Sequence, residues 1–420
     1  MKIILVTHFF PPSDAIATQR TLSFAKYWVA LGHEVTILTT KKSELFSHSD
    51  KYRVIETKYL PNFLFNRVNA VKKNIFNKQS NTKGGFFKII FRKLNGYGAF
   101  SSIRFPDITT LWPFYVDYKA LSLSDNYDVV VSSHGPYTCH QIAHKIHKLG
   151  IAKKWIMDYR DLWTDNYMFK GLPIIKTYER YLEKIYLKNA NSVVTVSESL
   201  ACKLRALGAK KVTVVENGFE EGELNTLNLK VNNTSNKLII SYFGSLYPIH
   251  RDPELICKAI NRLIERGSIQ PEDISVNFYG SGKELVDQRA AENNLKNIIQ
   301  FNGRVSRGEV LQLQNDADIL FLIDSSKEDG VLTTKIFEYL TTRLPILAIG
   351  VSNQGEISKL LKKFDFSHVC QYESELIDLI EYYVNLKKNS GEKLRRKNLG
   401  IIANYSRSSL AKKFSLEFDL

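Results

Sequence analysis

No stretch of this chain reaches the roughly 18 consecutive apolar residues that a membrane-crossing helix needs. Cysteine is scarce: Cys139, Cys202, Cys257 and Cys370 are scattered through 420 residues with no C-x-x-C spacing. That scatter argues against a zinc site or a disulfide framework and fits a reducing cytoplasm. The opening MKIILVTHFFPP has one lysine and a few apolar residues before its prolines, so it reads as a first strand rather than a signal peptide. Acidic residues are short as well. The net charge is +15, and Pro61–Pro106 holds nine Lys or Arg and no Asp or Glu. Such an excess calls for an anionic partner: nucleic acid, a membrane surface or a phosphorylated substrate.

What is present is ordinary for a globular protein, with 44% hydrophobic and 24% charged residues. The length suggests two domains of about 200 residues each. Lys2–Thr7 is a continuous apolar strand ending in the loop His8–Asp14. A helix over Ala15–Leu31, a stop at Gly32 and a strand over Glu34–Thr40 complete a βαβ unit, which implies a parallel sheet. Tyr127–Ser132 and Lys154–Asp158 continue the strands, each followed by polar residues: Ser133-His134-Gly135-Pro136 and Tyr159-Arg160-Asp161. Tyr178–Ala190 reads as an amphipathic helix and Ser192–Val196 as a strand, with Ser197 placed as a cap. Glu220–Asn236 is polar, Asn-rich and aperiodic, the best linker in the chain.

A second α/β pattern starts at Leu238. Strands over 238–244, 274–279, 297–301 and 319–323 lead into Gly244, Gly280-Ser281-Gly282, Asn302-Gly303-Arg304-Val305 and the stretch EDGVLTTKIFEYLTTRLPILAIG. In that stretch Thr333 or Thr334 can cap a helix whose Ile336, Phe337 and Leu340 form an apolar face, and Pro345–Ile349 reads as a buried strand. Lys335 and Glu338 lie three apart, on neighbouring positions of one helical face. A helix N-terminus with a cation and a carboxylate could hold a diphosphate and a ribose; a surface Lys–Glu pair is the plain alternative.

Pro61–Pro106 also interleaves nine aromatics with its basic residues, and FFKIIFRKL, carrying Lys88, Arg92 and Lys93, has the character of a segment lying in a membrane interface. An RNA-binding arm and a loosely packed helical pair are the other readings.

The segments PP…ATQR…LGHEVTILT, DYRDLW, VVTVSESL…VVENG, YFGSLYPIHRDP, FYGSG, FNGRVSRGEVLQLQNDADILFL and GVLTTKIFEYLTTRLPILA follow one another along nearly the whole chain. In that order they resemble the group 1 family of retaining, nucleotide-sugar-dependent glycosyltransferases of bacterial surface-polysaccharide type. The resemblance implies an α/β chain with the GT-B fold, two Rossmann-like domains facing each other across a cleft. It places an acceptor domain at 1–219 with the basic aromatic insertion 61–106, and a nucleotide-sugar domain at 237–400. A C-terminal helix within 401–420 would return to the first domain.

Position by position, the resemblance implies that Gly244 admits the diphosphate and that Arg251 and Lys335 are its cations. Arg304 and Val305 would meet the base, Leu332, Thr333 and Thr334 would offer N–H groups to the phosphates, and Glu338 would accept the ribose hydroxyls. His134 would stand near the reacting sugar, with Asp14, Arg160 and Asp161 on the acceptor side, although Asp158, Arg160 and Asp161 could equally form a bracing ion-pair cluster. Where many members carry a glutamate eight positions before Glu338, this chain has Gly330, with Glu328 and Asp329 close by. Asp316 and Asp318 read as helix-end residues, so no metal site is expected; no cofactor is expected beyond the nucleotide-sugar co-substrate. The implied activity transfers a sugar, with UDP as the nucleotide, to a lipid-linked saccharide of capsule, O-antigen or exopolysaccharide. It would act on the inner face of the cell membrane, without nucleic acid. A GT-B-type epimerase and a non-enzymatic basic binding protein are the alternatives.

Overall fold

The computed structural model describes residues 1–13, 15–42, 50–60, 104–105, 107–124, 126–166, 171–222, 236–248, 251–324, 332–390 and 400–419. Asp14, Lys88, Arg92, Lys93, Glu328, Asp329 and Gly330 lie outside these residues, as do most of the 61–106 insertion and the 220–236 linker. The chain divides into two compact units, Met1–Glu216 with Arg407–Leu420, and Asn217–Ser406.

The first unit is built on β1 (Lys2–Val6), β2 (Glu34–Thr40), β3 (Arg53–Thr57), β4 (Tyr127–Ser133), β5 (Ala152–Tyr159), β6 (Ser192–Thr195) and β7 (Val212–Val214). They form one sheet in the order β3-β2-β1-β4-β5-β6-β7, every pair parallel. Between them run α1 (Ile16–Ala30), α2 (Tyr118–Ser124), α3 (Thr138–Lys148), α4 (Pro173–Asn189) and α5 (Glu198–Ala206). Helices cover both faces, so the central strands carry buried apolar runs. Ile3 and Leu5 pack with Phe24 and Trp28 on one side, while Ile4 and Val6 pack with Trp112 and Trp155 on the other. The sequence did not mark β3, whose RVIET is an edge strand with no continuous apolar run, nor α2. Helix α4 begins at Pro173, five residues before the expected start, because Pro suits a first helical turn.

The second unit repeats the plan. Its strands β8 (Leu238–Ser245), β9 (Ile274–Ser281), β10 (Ile299–Phe301), β11 (Ile319–Ile323), β12 (Ile346–Ile349) and β13 (Ser367–Cys370) form a parallel sheet ordered β10-β9-β8-β11-β12-β13. Its helices are α6 (Glu254–Glu265), α7 (Lys283–Glu292), α8 (Arg307–Asp316), α9 (Thr334–Thr341), α10 (Glu356–Leu361) and α11 (Glu373–Ser390). The last helix, α12 (Arg407–Ser415), belongs to the first unit. There Trp28 Nε1 donates to the Ala411 carbonyl at 3.2 Å, and Phe414 lies 4.9 Å from the Phe24 ring.

In an open parallel sheet, ligands bind beyond the carboxyl ends of the strands, where the strand order reverses. That switch point lies between β1 and β4 in the first unit and between β8 and β11 in the second. The residues just past those strands are His8 and His134 in one unit, and Gly244 with the loop into α9 in the other.

Candidate functional site

Three of the expected loops are tied together at the carboxyl edge of the second sheet. Gly244 and Gly280 are register partners at the ends of β8 and β9. Gly280 has φ +135°, and a Cβ on it would lie 2.1 Å from the Gly244 carbonyl oxygen, so the two backbones approach as only glycine permits. Leu246 N donates to the Ser281 carbonyl at 2.9 Å, and Gly280 N donates to the Gly303 carbonyl at 2.7 Å. The second bond draws Asn302–Val305 to the same edge, with Arg304 exposed and Val305 half-buried. Tyr247 and Arg251 close the turn after β8 through reciprocal backbone bonds of 3.3 and 2.9 Å.

Helix α9 is positioned by burial. Ile336, Phe337 and Leu340 are removed from solvent, each worth about 1.5–3 kcal/mol. The Tyr339 hydroxyl, also buried, accepts from Phe243 N at 2.9 Å and locks the helix to β8. Thr333 is the residue that caps the helix: its hydroxyl accepts from Lys335 N at 3.3 Å. Thr334 is the first helical residue, and Leu332 is buried with its carbonyl accepting from Asn217 Nδ2 at 3.2 Å.

This framework delivers the Lys335 ammonium to the switch point. Its Nζ lies 3.4 Å from the Tyr242 hydroxyl and 4.8 Å from the centre of that ring. It also fills the space beside Gly244, where a Cβ would fall 1.7 Å from Nζ. Burial pushes the Lys335 amine down to about 7; the charge of Arg251 acts in the same direction and Glu338 opposes it. Arg251 is thus electrostatically coupled to Lys335, and among the described residues no carboxylate forms an ion pair with either. Lys335 and Glu338 do not form the ion pair their spacing allowed. Glu338, largely buried, accepts from Arg307 Nη1 at 3.0 Å instead. Tyr242 and Arg307 went unmarked in the sequence, one inside an apolar strand and the other behind the Ser306–Glu309 capping box that starts α8.

In the first unit His134 directly follows β4 and is 1% exposed. Its ring stacks on Tyr159 at 5.2 Å and on His140 at 5.4 Å. Neither ring nitrogen has a hydrogen-bond partner among the described residues. Burial pushes the imidazole well below its usual pKa, and His140, Arg160 and Arg104 add to the shift, so the ring is neutral. The charged residues at the end of β5 interact electrostatically, both Asp161 and Asp158 acting on Arg160, but they hydrogen-bond to different partners. Asp158 pairs with Arg20, which donates to its carboxylate at 2.8–3.3 Å and to the Glu216 and Val215 carbonyls at 2.9 and 3.0 Å. Ser133 Oγ donates to the same carboxylate at 3.0 Å. Arg160 turns the other way, donating to the His134 carbonyl at 3.1 Å with its guanidinium 5.9 Å from the Phe9 ring. Burial pushes the Asp161 carboxyl up, against the pull of Arg160. Arg20 was visible in the ATQR segment, yet nothing in its spacing marked Asp158 as its partner.

Asp318 is structural: it accepts from Ile239 N at 2.9 Å and pairs with Lys387 at 3.0 Å, both partners inside the second unit. Among the described residues no three His, Cys, Asp or Glu side chains are grouped as metal ligands.

The sequence matches no family model and no curated protein. Solved structures do match across its length. Sucrose-phosphate synthase from Thermosynechococcus elongatus superposes with a TM-score of 0.63 at 14% identity, covering 100% of this chain and 98% of the other. The HepE protein of Anabaena, in complex with UDP and glucose, gives 0.58 at 12% identity, covering 100% and 99%. The lipopolysaccharide outer core galactosyltransferase WaaB gives 0.58 at 12%, again covering 100% and 99%. Likeness at this level of identity speaks to architecture. Together with the two parallel, doubly wound sheets, it shows that the chain has the two-domain α/β GT-B fold.

Proposed function

We propose that the protein is a retaining glycosyltransferase. It would take a sugar from a nucleotide-diphosphate sugar, UDP being the nucleotide, and pass it to a lipid-linked saccharide in surface-polysaccharide synthesis. The observation that carries this reading is the Lys335 ammonium seated against Gly244 at the second sheet's switch point, with Arg251 coupled to it. A partly desolvated ammonium coupled to a second cation is suited to a diphosphate. HepE, of the same fold, binds UDP and glucose, which favours UDP; WaaB acts on the lipopolysaccharide outer core, which favours a cell-surface acceptor.

In this mechanism the sugar–phosphate bond breaks toward an oxocarbenium-like carbon. Lys335, Arg251 and the N–H groups of Leu332, Thr333 and Thr334 would stabilise the leaving diphosphate, which supplies most of the rate enhancement. Arg304 and Val305 would meet the base and Glu338 the ribose. The neutral His134, its ring buried against Tyr159 and His140, would act beside the donor sugar as a positioning residue rather than by moving a proton. Asp14, Arg160 and Asp161 would serve the acceptor side. The cations carry the leaving-group charge, so the proposal requires no metal. No helix among the described residues is long and apolar enough to cross a membrane. Access to a lipid-linked acceptor would therefore come from peripheral contact with the inner face of the cell membrane, through Lys88, Arg92 and Lys93.

The test is a thermal-shift panel of UDP-, GDP-, dTDP- and ADP-sugars on the parent chain and Glu338→Ala. A shift with UDP-sugars that the variant loses is expected; no shift with any of them would count against the enzyme. Turnover of the nucleotide sugar to another sugar nucleotide without acceptor would mark an epimerase instead.

A further inference from the structure

Helix α4 mixes acidic and apolar side chains on its buried face. Its two carboxylates face the core: Glu179 is 1% exposed and Glu183 fully buried. Glu179 accepts from Arg104 Nη1 at 3.1 Å, from Phe105 N at 2.8 Å and from Trp163 Nε1 at 3.1 Å. Glu183 accepts from the Thr164 backbone and hydroxyl. Tyr186 and Leu187 are buried beside the glutamates in the core, but the N-terminal half of the helix turns large apolar side chains outward. Ile174, Tyr178 and Tyr181 are 89%, 52% and 62% exposed, and their i, i+4, i+7 spacing sets them in one stripe. The Phe105 ring extends that stripe, meeting Tyr178 edge-on at 6.3 Å. Lys184 and Lys188, exposed at the far end of the same helix, flank that stripe. Arg180 is taken up by Asp165. With both glutamates inside, the outer side of α4 carries lysine and no acid.

We propose that this face of α4 docks on an anionic lipid surface. Charge decides the occupant. A second copy placed isologously would set lysines against lysines, which repels. An anionic bilayer attracts them, accepts tyrosine at headgroup level and takes an exposed isoleucine into its acyl boundary. The surface deepens the membrane side of the proposed function and rests on that reading only for its purpose. It is independent of Lys88, Arg92 and Lys93.

Flotation of the full chain with vesicles tests it, comparing phosphatidylcholine alone with mixtures containing phosphatidylglycerol. A triple and a double variant are used, Ile174→Ser/Tyr178→Ser/Tyr181→Ser and Lys184→Glu/Lys188→Glu. Binding to the anionic vesicles is expected, weakened roughly a hundredfold by the lysine changes and similarly lost with the serine changes. The thermal shift with UDP-sugar should be unchanged in both; its absence in the parent would overturn the enzyme reading and leave the docking result standing. Parent-like flotation of both variants overturns the docking face. So does a dimer, or salt-sensitive RNA binding, that the variants abolish while vesicle binding persists. Tyr178→Trp guards against misfolding: all four native tryptophans are fully buried, so brominated anionic lipid should quench only the new one. No added quenching overturns the proposal.

Discussion

The Lys335 ammonium occupies the space that any side chain at residue 244 would need, with Nζ 1.7 Å and Cε 2.4 Å from the position of a Cβ there. Glycine at 244 is therefore a condition for the placement of that cation, as well as for its own φ of +147°. The obstructing atoms are the far end of a flexible side chain, so Gly244→Ala should fold with a loss of only about 1–3 kcal/mol. Its ammonium, however, must move away. Titration calorimetry should show nucleotide-diphosphate binding weakened about a hundredfold, near the value for Lys335→Ala.

A pH dependence follows from the depressed amine. Free Lys335 titrates at about 7, and a bound diphosphate raises that value by favouring the charged form. Binding then takes up a proton above pH 7, so affinity should fall by up to about tenfold per pH unit as pH rises beyond it. The terminal phosphate, with a second pKa of about 6, is already ionised in that range. Lys335→Arg should flatten the profile, since a guanidinium stays charged. Dissociation constants for UDP from about pH 7 to about pH 9 decide the matter; a flat parent profile sinks the assignment.

Arg307 holds Glu338 through a 3.0 Å contact, so it should act on the nucleotide through that carboxylate. A double-mutant cycle of Arg307→Ala and Glu338→Ala should give a coupling energy of about 0.5–2 kcal/mol with UDP. The coupling should shrink with a 2′-deoxy nucleotide. Equal, additive losses on both ligands would leave Arg307 without a role at the site.

The Arg20–Asp158 pair is buried, with side-chain exposures of 7% and 1%. Removing one partner strands the other charge, so Asp158→Ala should cost the first unit about 3–5 kcal/mol. All four tryptophans, Trp28, Trp112, Trp155 and Trp163, lie in that unit. Urea unfolding followed by their fluorescence should therefore show the loss, while far-ultraviolet dichroism retains a transition from the second unit.

In the proposed mechanism Arg251 and Lys335 meet the diphosphate charge, so activity should survive EDTA within about twofold. Abolition by chelator and rescue by magnesium would place that charge on a metal instead.

Much of the architecture was legible because parallel strands buried on both faces leave unbroken apolar runs. IILV, ILTT, LIISYF and ILFLI all fall on strands near the expected bounds. Edge strand β3 escaped for the converse reason. At the site, the residues that sequence singled out through glycine and helix-start signals, Gly244 and Lys335, are brought together. Partners set by tertiary contact were not visible: Arg20 is 138 positions from Asp158 and Arg307 is 31 from Glu338. The burial of Glu179 and Glu183 in α4 was hidden for a different reason. Periodicity shows that a helix has two faces, but it does not say which one is turned inward.

The return of α12 to the first unit has a consequence in time. Phe24 and Trp28 are covered by Phe414 and Phe418, residues made only after the whole second unit. At roughly 5–20 residues per second, a ribosome spends about ten to forty seconds on Asn217–Ser406 before that cover is synthesised. Throughout that interval the nascent first unit presents an open aromatic socket, while the second unit, continuous in sequence, can fold to completion. Chaperone dependence in vivo should therefore track the first unit, and a premature stop before residue 407 should yield aggregation rather than a smaller enzyme.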